Sequence, residues 1–252
     1  MRATPVQLVD LRYTEFETVQ KFFLPGLRVL EIGGGTGYQA NLIARLGGAV
    51  DSIDVAPPSS GESYFPVRIY DGRTLPFADG SFDVVFSSNV LEHIPDLQKT
   101  LSEIHRVMKV NGLAIHILPT PAWRIWTSFS HYIHIAQRLG GMVVGRWKIA
   151  TSGQAGTHTK LSALGWWGMI KRVLIGGPHG EYPSAISELW YFSRRRWLNL
   201  FNENGFELVE DRPSRVFYTG YGVFPSITVN SRRALSRVFG SATRVFVLRK
   251  AI

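Results

Sequence analysis

The sequence predicts an α/β fold in which helices flank a mostly parallel sheet. Three observations carry that expectation. Arg28–Ala40 (RVLEIGGGTGYQA) reads as a strand, a glycine turn and a helix start, the arrangement that opens nucleotide-binding α/β domains. Short apolar runs then alternate with helix-like segments as far as Pro119, an order that builds parallel sheets. Hydrophobic residues make up 45% of the 252 residues, enough for a real core and far from a disordered composition.

Taken in order, Leu8–Phe23 has apolar residues at helical spacing and ends at Pro25-Gly26. Val29, Leu30 and Ile32 favour a first strand. Gly33, Gly34, Gly35 and Gly37 break it. A second strand covers Ala49–Val55 and stops before Pro57-Pro58. Val67–Tyr70 is a short third strand and Phe82–Phe86 a fourth. Asp96–Met108 reads as a helix capped by Asp96. Gly112–Leu118 is a fifth strand, entered through an Asn111-Gly112 turn. From Ala122 to Ser193 the alternation stops, and this stretch holds six of the seven tryptophans. The pattern resumes with a helix over Arg195–Asn204 closed by Gly205, a strand at Phe206–Val209, a basic helix at Ser231–Phe239 and a last strand at Thr243–Arg249.

Charge is unevenly placed. Residues 1–120 carry a net −3, residues 121–196 a net +8 and residues 197–252 a net +4. The basic middle would attract an anionic partner, whether phosphorylated substrate, nucleic acid or acidic lipid; a solvated basic surface is the plainer reading. The chain has no cysteine, which excludes disulfides, thiolate metal sites and cysteine nucleophiles. His131 and His134 lie three apart without further ligands, so they are expected to pack, and no metal site is expected. The N-terminus lacks the apolar core of a signal peptide, and no apolar run reaches the roughly 18–20 residues needed to cross a bilayer. A cytoplasmic protein is expected, with peripheral contact to the inner face of a membrane left open.

The glycine loop alone is ambiguous. Gly35-x-Gly37-x-x-Ala40 with Asp54 downstream fits a relaxed dinucleotide pattern. Glu31 argues otherwise, because a carboxylate just before the loop could accept hydrogen bonds from a ligand's ammonium group. The glycines are denser than a dinucleotide site requires. The segment DGRTLPFADGSFDVV, from Asp71 to Val85, has no dinucleotide rationale.

VLEIGGGTG, SIDV, DGRTLPFADGSFDVVFSSNVLEHI and EIHRVMKVNGLAIHI, in this order, resemble the class I S-adenosylmethionine-dependent methyltransferase family over Arg28–Pro119, with a weaker tail at Trp197–Glu210 and Thr243–Lys250. The resemblance implies a Rossmann-like fold: one domain over residues 1–252, a seven-stranded, mostly parallel sheet with an antiparallel last strand, and a large insertion after the fifth strand, residues 122–193, as lid and acceptor-binding segment. It implies that Glu31, Gly33, Gly35 and Gly37 surround the methionine part of the cofactor S-adenosylmethionine. Asp54 would accept the ribose hydroxyls, Asp71 the adenine amino group with Gly72 donating its N–H to the ring, and Ser87 and Ser88 would lie near the sulfonium. Helix capping or turn formation is the alternative role for the two aspartates. The exit SSNVLEHI is not the Asn-Pro-Pro-Tyr type that presents a nucleobase amino group, which lowers a nucleobase acceptor.

An alcohol acceptor needs a base. His93, just beyond the fourth strand, is the first candidate, and His179 with Glu181 in the insertion the second; for His93 and His179 a structural role stays open. Trp123–Arg146 mixes aromatic and apolar residues with Arg124, Arg138 and Arg146, which suits a lid packed on the core or a helix resting on an anionic membrane. Arg194, Arg195 and Arg196 could meet a phosphate or carboxylate, or simply open a surface helix. The stretch from Pro178 to Asp211 also resembles bacterial methyltransferases of surface-glycan or glycolipid assembly. The leading expectation is O-methylation of a small or lipid-linked acceptor such as a saccharide. RNA or protein methylation through the basic segment is the second, and a non-catalytic cofactor-binding module the third.

Overall fold

The computed structural model describes residues 5–58, 61–133, 185–217 and 226–251. The strands are β1 (Arg28–Ile32), β2 (Ala49–Asp54), β3 (Arg68–Ile69), β4 (Phe82–Ser88), β5 (Met108–Pro119), β6 (Phe206–Pro213) and β7 (Thr243–Lys250). They form one sheet in the order β3-β2-β1-β4-β5-β7-β6. Strands β1 to β5 pair in parallel. Strand β7 lies antiparallel between β5 and β6, as expected for the last strand.

Both faces of the sheet are covered, so its central strands read as near-continuous apolar runs. The period of two then sorts side chains by face. Leu30, Ile32 and Ile53 pack on one side with Leu101 and Ile104 of α3 (Leu97–Val107). Trp197, Leu200 and Phe201 of a later helix, Arg194–Glu203, join them there. Val29, Val84, Phe86, Ile115 and Val247 face the other way, onto Phe16 and Val19 of α1 (Pro5–Val19) and Ile43 of α2 (Tyr38–Arg45). Each such side chain contributes roughly 1.5–3 kcal/mol by leaving water.

Helix ends follow the local chemistry. Helix α1 tightens into a 3-10 turn at Gln20–Phe22 and stops before Pro25. The Asp96 side chain accepts from the Lys99 N–H at 3.1 Å and caps α3 as expected. Residues 121–133 form α4, and Ala185–Tyr191 forms α5. The remaining helices are α6 (Arg194–Glu203), capped by Ser193, and α7 (Val229–Phe239), capped by Thr228. Gly205 follows α6 with φ +78°, which a glycine adopts freely.

Two expectations are corrected. Asn111-Gly112 does not turn ahead of a separate strand: β5 begins at Met108, and its register with β4 jumps from Phe82↔Met108 to Val84↔Leu113. The extra residues bulge opposite Asp83, where a Cβ on Gly112 would stand 3.1 Å from three carbonyl oxygens. Strand β6 runs on to Pro213, well past Val209, because β7 pairs with it on both sides of a register shift between Leu208 and Glu210. Arg194 to Arg196 open helix α6, the plainer of their two readings: Arg194 is bonded to the Asp211 carboxylate, and Arg196 lies over the Tyr191 ring. In the insertion, residues 134–184 lie outside the described residues. Its two described ends meet through a buried Arg124–Glu188 ion pair of 2.9 Å and a Trp123–Phe192 ring contact.

Candidate functional site

In the sheet order, the chain steps outward from β1 through β2 to β3, then crosses to β4 on the other side of β1. Ligands of open α/β sheets bind where the order reverses, outside the carboxyl ends of the strands. A cavity of about 980 Å³ lies there, lined among others by Gly33, Gly35, Asp54, Asp71, Ser88 and His93.

The glycine loop is built from β1 outward. The N–H groups of Gly33 and Gly34 both donate to the carbonyl of Ile53, at 2.8 and 3.0 Å, which ties the loop to the end of β2. A Cβ on Gly33 would stand 2.2 Å from a methyl of Val90. Gly35 differs: its φ is +54°, and the place its Cβ would take is open and borders the cavity. A ligand can therefore approach bare main chain at Gly35. Gly37 serves the turn itself, since a Cβ there would lie 2.6 Å from the Phe65 carbonyl oxygen; it is not on the cavity wall.

The two aspartates sit where the strands deliver them. Asp54, ending β2, accepts from the Gly35 N–H at 2.8 Å and from the Val55 N–H at 2.6 Å. It borders the cavity and steadies the loop at once. Asp71 follows β3 and accepts from the N–H groups of Arg73 and Thr74. Those two bonds hold its carboxyl below the usual carboxylate range. Asp71 and Gly72 both line the cavity. Each aspartate thus has the turn-forming role weighed from sequence while also facing the space.

Other expected residues lie behind the wall. Glu31 is buried, and its carboxyl accepts from the Ser52 hydroxyl at 2.6 Å and from the Ala40 N–H. Burial pushes it up to about 7. Its place is a junction between β1, β2 and α2 rather than a cavity-lining one. Ser87 is fully buried, its hydroxyl 2.8 Å from Nδ1 of His116. Burial drives His116 down to about 3, so the pair is a neutral structural contact. Ser88 does reach the cavity.

His93 lines the cavity from the 3-10 turn Leu91–His93, its side chain 41% exposed and Nε2 3.8 Å from Oε1 of Glu92. Glu92 is buried, and desolvation pushes it up to about 8. At neutral pH it is mainly protonated and presents no full negative charge to the imidazole. His179 and Glu181 lie outside the described residues.

Sequence reasoning missed a wall contributed by α1. Arg12 lines the cavity, and its guanidinium is paired with Glu15 at 2.7 Å. Glu15 is completely buried and also accepts from Asn89 and Thr243. Asn89, just past β4, has φ +55°, which asparagine tolerates better than most residues. Arg12 and Glu15 stand three apart on α1, one helical turn from each other. No local pattern says that such a helix folds back over the strand ends. The positive-φ position at Asn89 has a faint signal in SSNVLEH, where asparagine stops a buried strand.

The family described as "Methyltransferase domain" matches residues 30–116. An uncharacterised methyltransferase of Mycobacterium sp. (strain JLS) is 35% identical over 148 residues, covering 55% of this chain and 54% of that protein. The chain spans about half the length of the curated relatives it matches. Among solved structures, a SAM-dependent methyltransferase from Aquifex aeolicus gives a TM-score of 0.51 at 13% identity, covering 98% of both chains. A 1,6-didemethyltoxoflavin-N1-methyltransferase from Burkholderia thailandensis, with bound 1,6-didemethyltoxoflavin and S-adenosylhomocysteine, gives 0.51 at 15% identity, covering 96% of this chain and 78% of that one. At these identities the structural likeness is one of fold.

Proposed function

We propose that this chain, which carries a class I S-adenosylmethionine-dependent methyltransferase domain, transfers a methyl group from that cofactor to an acceptor held beside His93. The observation that carries the reading is the single cavity that gathers Gly35, Asp54, Asp71 and His93 above the strand ends. Its features suit the cofactor: bare main chain at Gly35, and carboxylates at the ends of β2 and after β3 able to accept from ribose hydroxyls and an adenine amino group. Gly33 and Gly35 would border the methionine part, with Ser88 nearby. Glu31, Gly37 and Ser87 would support this wall from behind.

When bound, S-adenosylmethionine supplies a methyl group on a sulfonium, a good leaving group for in-line displacement at carbon. The chain's own work is alignment and exclusion of water. Val90, Ile94 and Pro95 give the cavity an apolar side. The His93 imidazole accepts the acceptor's hydroxyl proton.

For the acceptor we infer an oxygen on a small or lipid-linked molecule such as a saccharide. Segment 122–193 is the lid over it, with His179 and Glu181 as further candidates for proton transfer. Supporting a lipid-linked acceptor and peripheral membrane contact, Ile125, Phe129 and Tyr132 are exposed at helical spacing on α4. This apolar face sits within residues 121–196, which carry ten basic against two acidic residues. None of the helices among the described residues is long and apolar enough to cross a membrane. The same basic stretch favours a second reading, RNA or protein methylation.

Incubation with methyl-labelled cofactor and fractionated cell extract separates these. Label in a lipid or saccharide fraction supports the first reading, and label in RNA or protein the second. No label in any fraction, with cofactor still bound, leaves a non-catalytic binding module.

A further inference from the structure

Three segments meet at the carboxyl end of the sheet, beside the strands that hold the cavity. Helix α4 leaves the end of β5, where Pro119 pairs with Thr243 of β7. Helix α7 ends just ahead of β7, and residues 214–217 follow β6. All three therefore lie at the end of the sheet where the cavity lies. They are tied together there. The Trp126 indole N–H of α4 donates to the Phe239 carbonyl at 2.9 Å, and the two rings stand edge to face at 4.8 Å. The Phe217 ring meets both, at 5.8 and 5.7 Å. Buried Arg232 of α7 donates to the carbonyls of Ile227 and Phe217, which fixes the last segment against the helix.

This junction is held from inside, yet its outer side is apolar. Ile125, Phe129 and Tyr132 of α4 are exposed, Phe129 by 54%. Val238 and Phe239 at the end of α7 are exposed too, Val238 by 79%. Five large apolar side chains around one junction exceed the scattered singles of an ordinary exterior. The charge is of one sign. Residues 121–133, 214–217 and 229–239 contain one, one and three arginines and no aspartate or glutamate. Arg124 and Arg232 are buried, and Arg233 is paired with Glu17. Arg215, two residues before Phe217, and Arg237, next to Val238, are exposed.

We infer that this junction is a docking surface for an anionic lipid bilayer, with Ile125, Phe129, Val238 and Phe239 entering the headgroup region and Arg215 and Arg237 meeting lipid phosphates. Side-chain chemistry favours a bilayer. Aliphatic side chains such as Ile125 and Val238 gain from acyl chains without needing a shaped partner. Trp126 and Tyr132 carry a polar tip on an apolar ring, which suits the boundary between headgroups and hydrocarbon. Exposed arginines in segments free of carboxylates complement the negative surface of such a membrane. The junction and the cavity share one end of the sheet, so docking brings a lipid-linked acceptor toward the cavity; this last step rests on the acceptor reading given above.

The test is co-sedimentation of the full chain with unilamellar vesicles, of phosphatidylcholine alone or with roughly a third of phosphatidylglycerol, at low and at high salt. One variant, Arg215→Gln with Arg237→Gln, removes charge. The other, Ile125→Ser with Val238→Ser, removes apolar contact and leaves the rings of the junction in place. Thermal unfolding checks both folds. The expected result is binding of the wild type to the anionic vesicles, at least about tenfold tighter than to the neutral ones and weakened by salt, with a roughly 10- to 30-fold loss in the arginine variant and about tenfold in the apolar one. Absence of binding to the anionic vesicles, or binding that both variants retain, would overturn the inference. So would binding lost only in the arginine variant together with equally tight wild-type binding to soluble polyglutamate, which assigns the surface to an acidic protein. The acceptor reading fails separately: vesicle binding lost in both variants, with methyl label found only in RNA or protein, keeps the docking surface and removes the lipid-linked acceptor. Label in lipid without vesicle binding does the reverse.

Discussion

Glu31→Gln tests the assignment of Glu31 as a buried structural junction. Burial raises this carboxyl from 4.5 to about 7, opposed by the Ser52 hydroxyl and the Ala40 N–H. In the unfolded chain it ionises near 4.5, while in the folded chain it keeps its proton to about 7. Between these values the native state holds more protons, so its stability contribution is full below pH 4.5 and is lost as pH rises through 7. At 1.36 kcal/mol per unit, the loss amounts to roughly 3 kcal/mol by pH 8. Glutamine has no proton to lose. Urea unfolding followed by tryptophan fluorescence at pH 5, 6, 7 and 8 should therefore show a flatter profile for the variant. At pH 5 it should be about 1 kcal/mol less stable, through a poorer bond to Ser52. At pH 8 it should be the more stable protein. Other titrating groups are common to both chains and cancel in the difference. A stability difference that stays constant from pH 5 to 8 would refute the reasoning.

Three further outcomes are expected. His116 is held down to about 3 by burial; the unfolded chain takes up that proton below about 6.5, so stability falls as pH falls from 6.5 toward 3, by roughly 5 kcal/mol at the limit. His116→Phe with Ser87→Ala should flatten this acid limb in the same urea assay. Gly37→Ala, with φ +74° and a Cβ 2.6 Å from the Phe65 carbonyl oxygen, should lower stability by roughly 1–3 kcal/mol in thermal unfolding. Arg106 donates to the carbonyls of Leu75 and Phe77 and to Glu103, so Arg106→Ala should cost about 2 kcal/mol and raise amide hydrogen exchange across residues 71–80.

The half of the chain that repeats strand and helix was legible because its signals are local. Three positive-φ glycines after an apolar strand, aspartates closing β2 and following β3, and Asp96 before a periodic helix each announce themselves within a few residues. What sequence could not show is which way a polar side chain turns at a strand end. Glu31 and Ser87 look like site residues by position, yet β1 points the first at Ser52, and β4 carries the second under the wall to His116. Arg12 was hidden for the opposite reason. Its role depends on a contact between helix α1 and residues about 76 positions later, and no local pattern records a contact of that range. The β4–β5 bulge was misread because Asn-Gly is a competent turn in isolation, and the jump in register from Phe82↔Met108 to Val84↔Leu113 exists only once the two strands are paired.

The central claim is that one cavity above β1, β2 and β4 binds S-adenosylmethionine. Calorimetric titration of the wild-type chain with that ligand tests it most directly. The account predicts a single saturable site, with affinity reduced at least about tenfold in Asp54→Ala. Absence of saturable binding by the wild-type protein, or binding untouched by loss of Asp54, would contradict it.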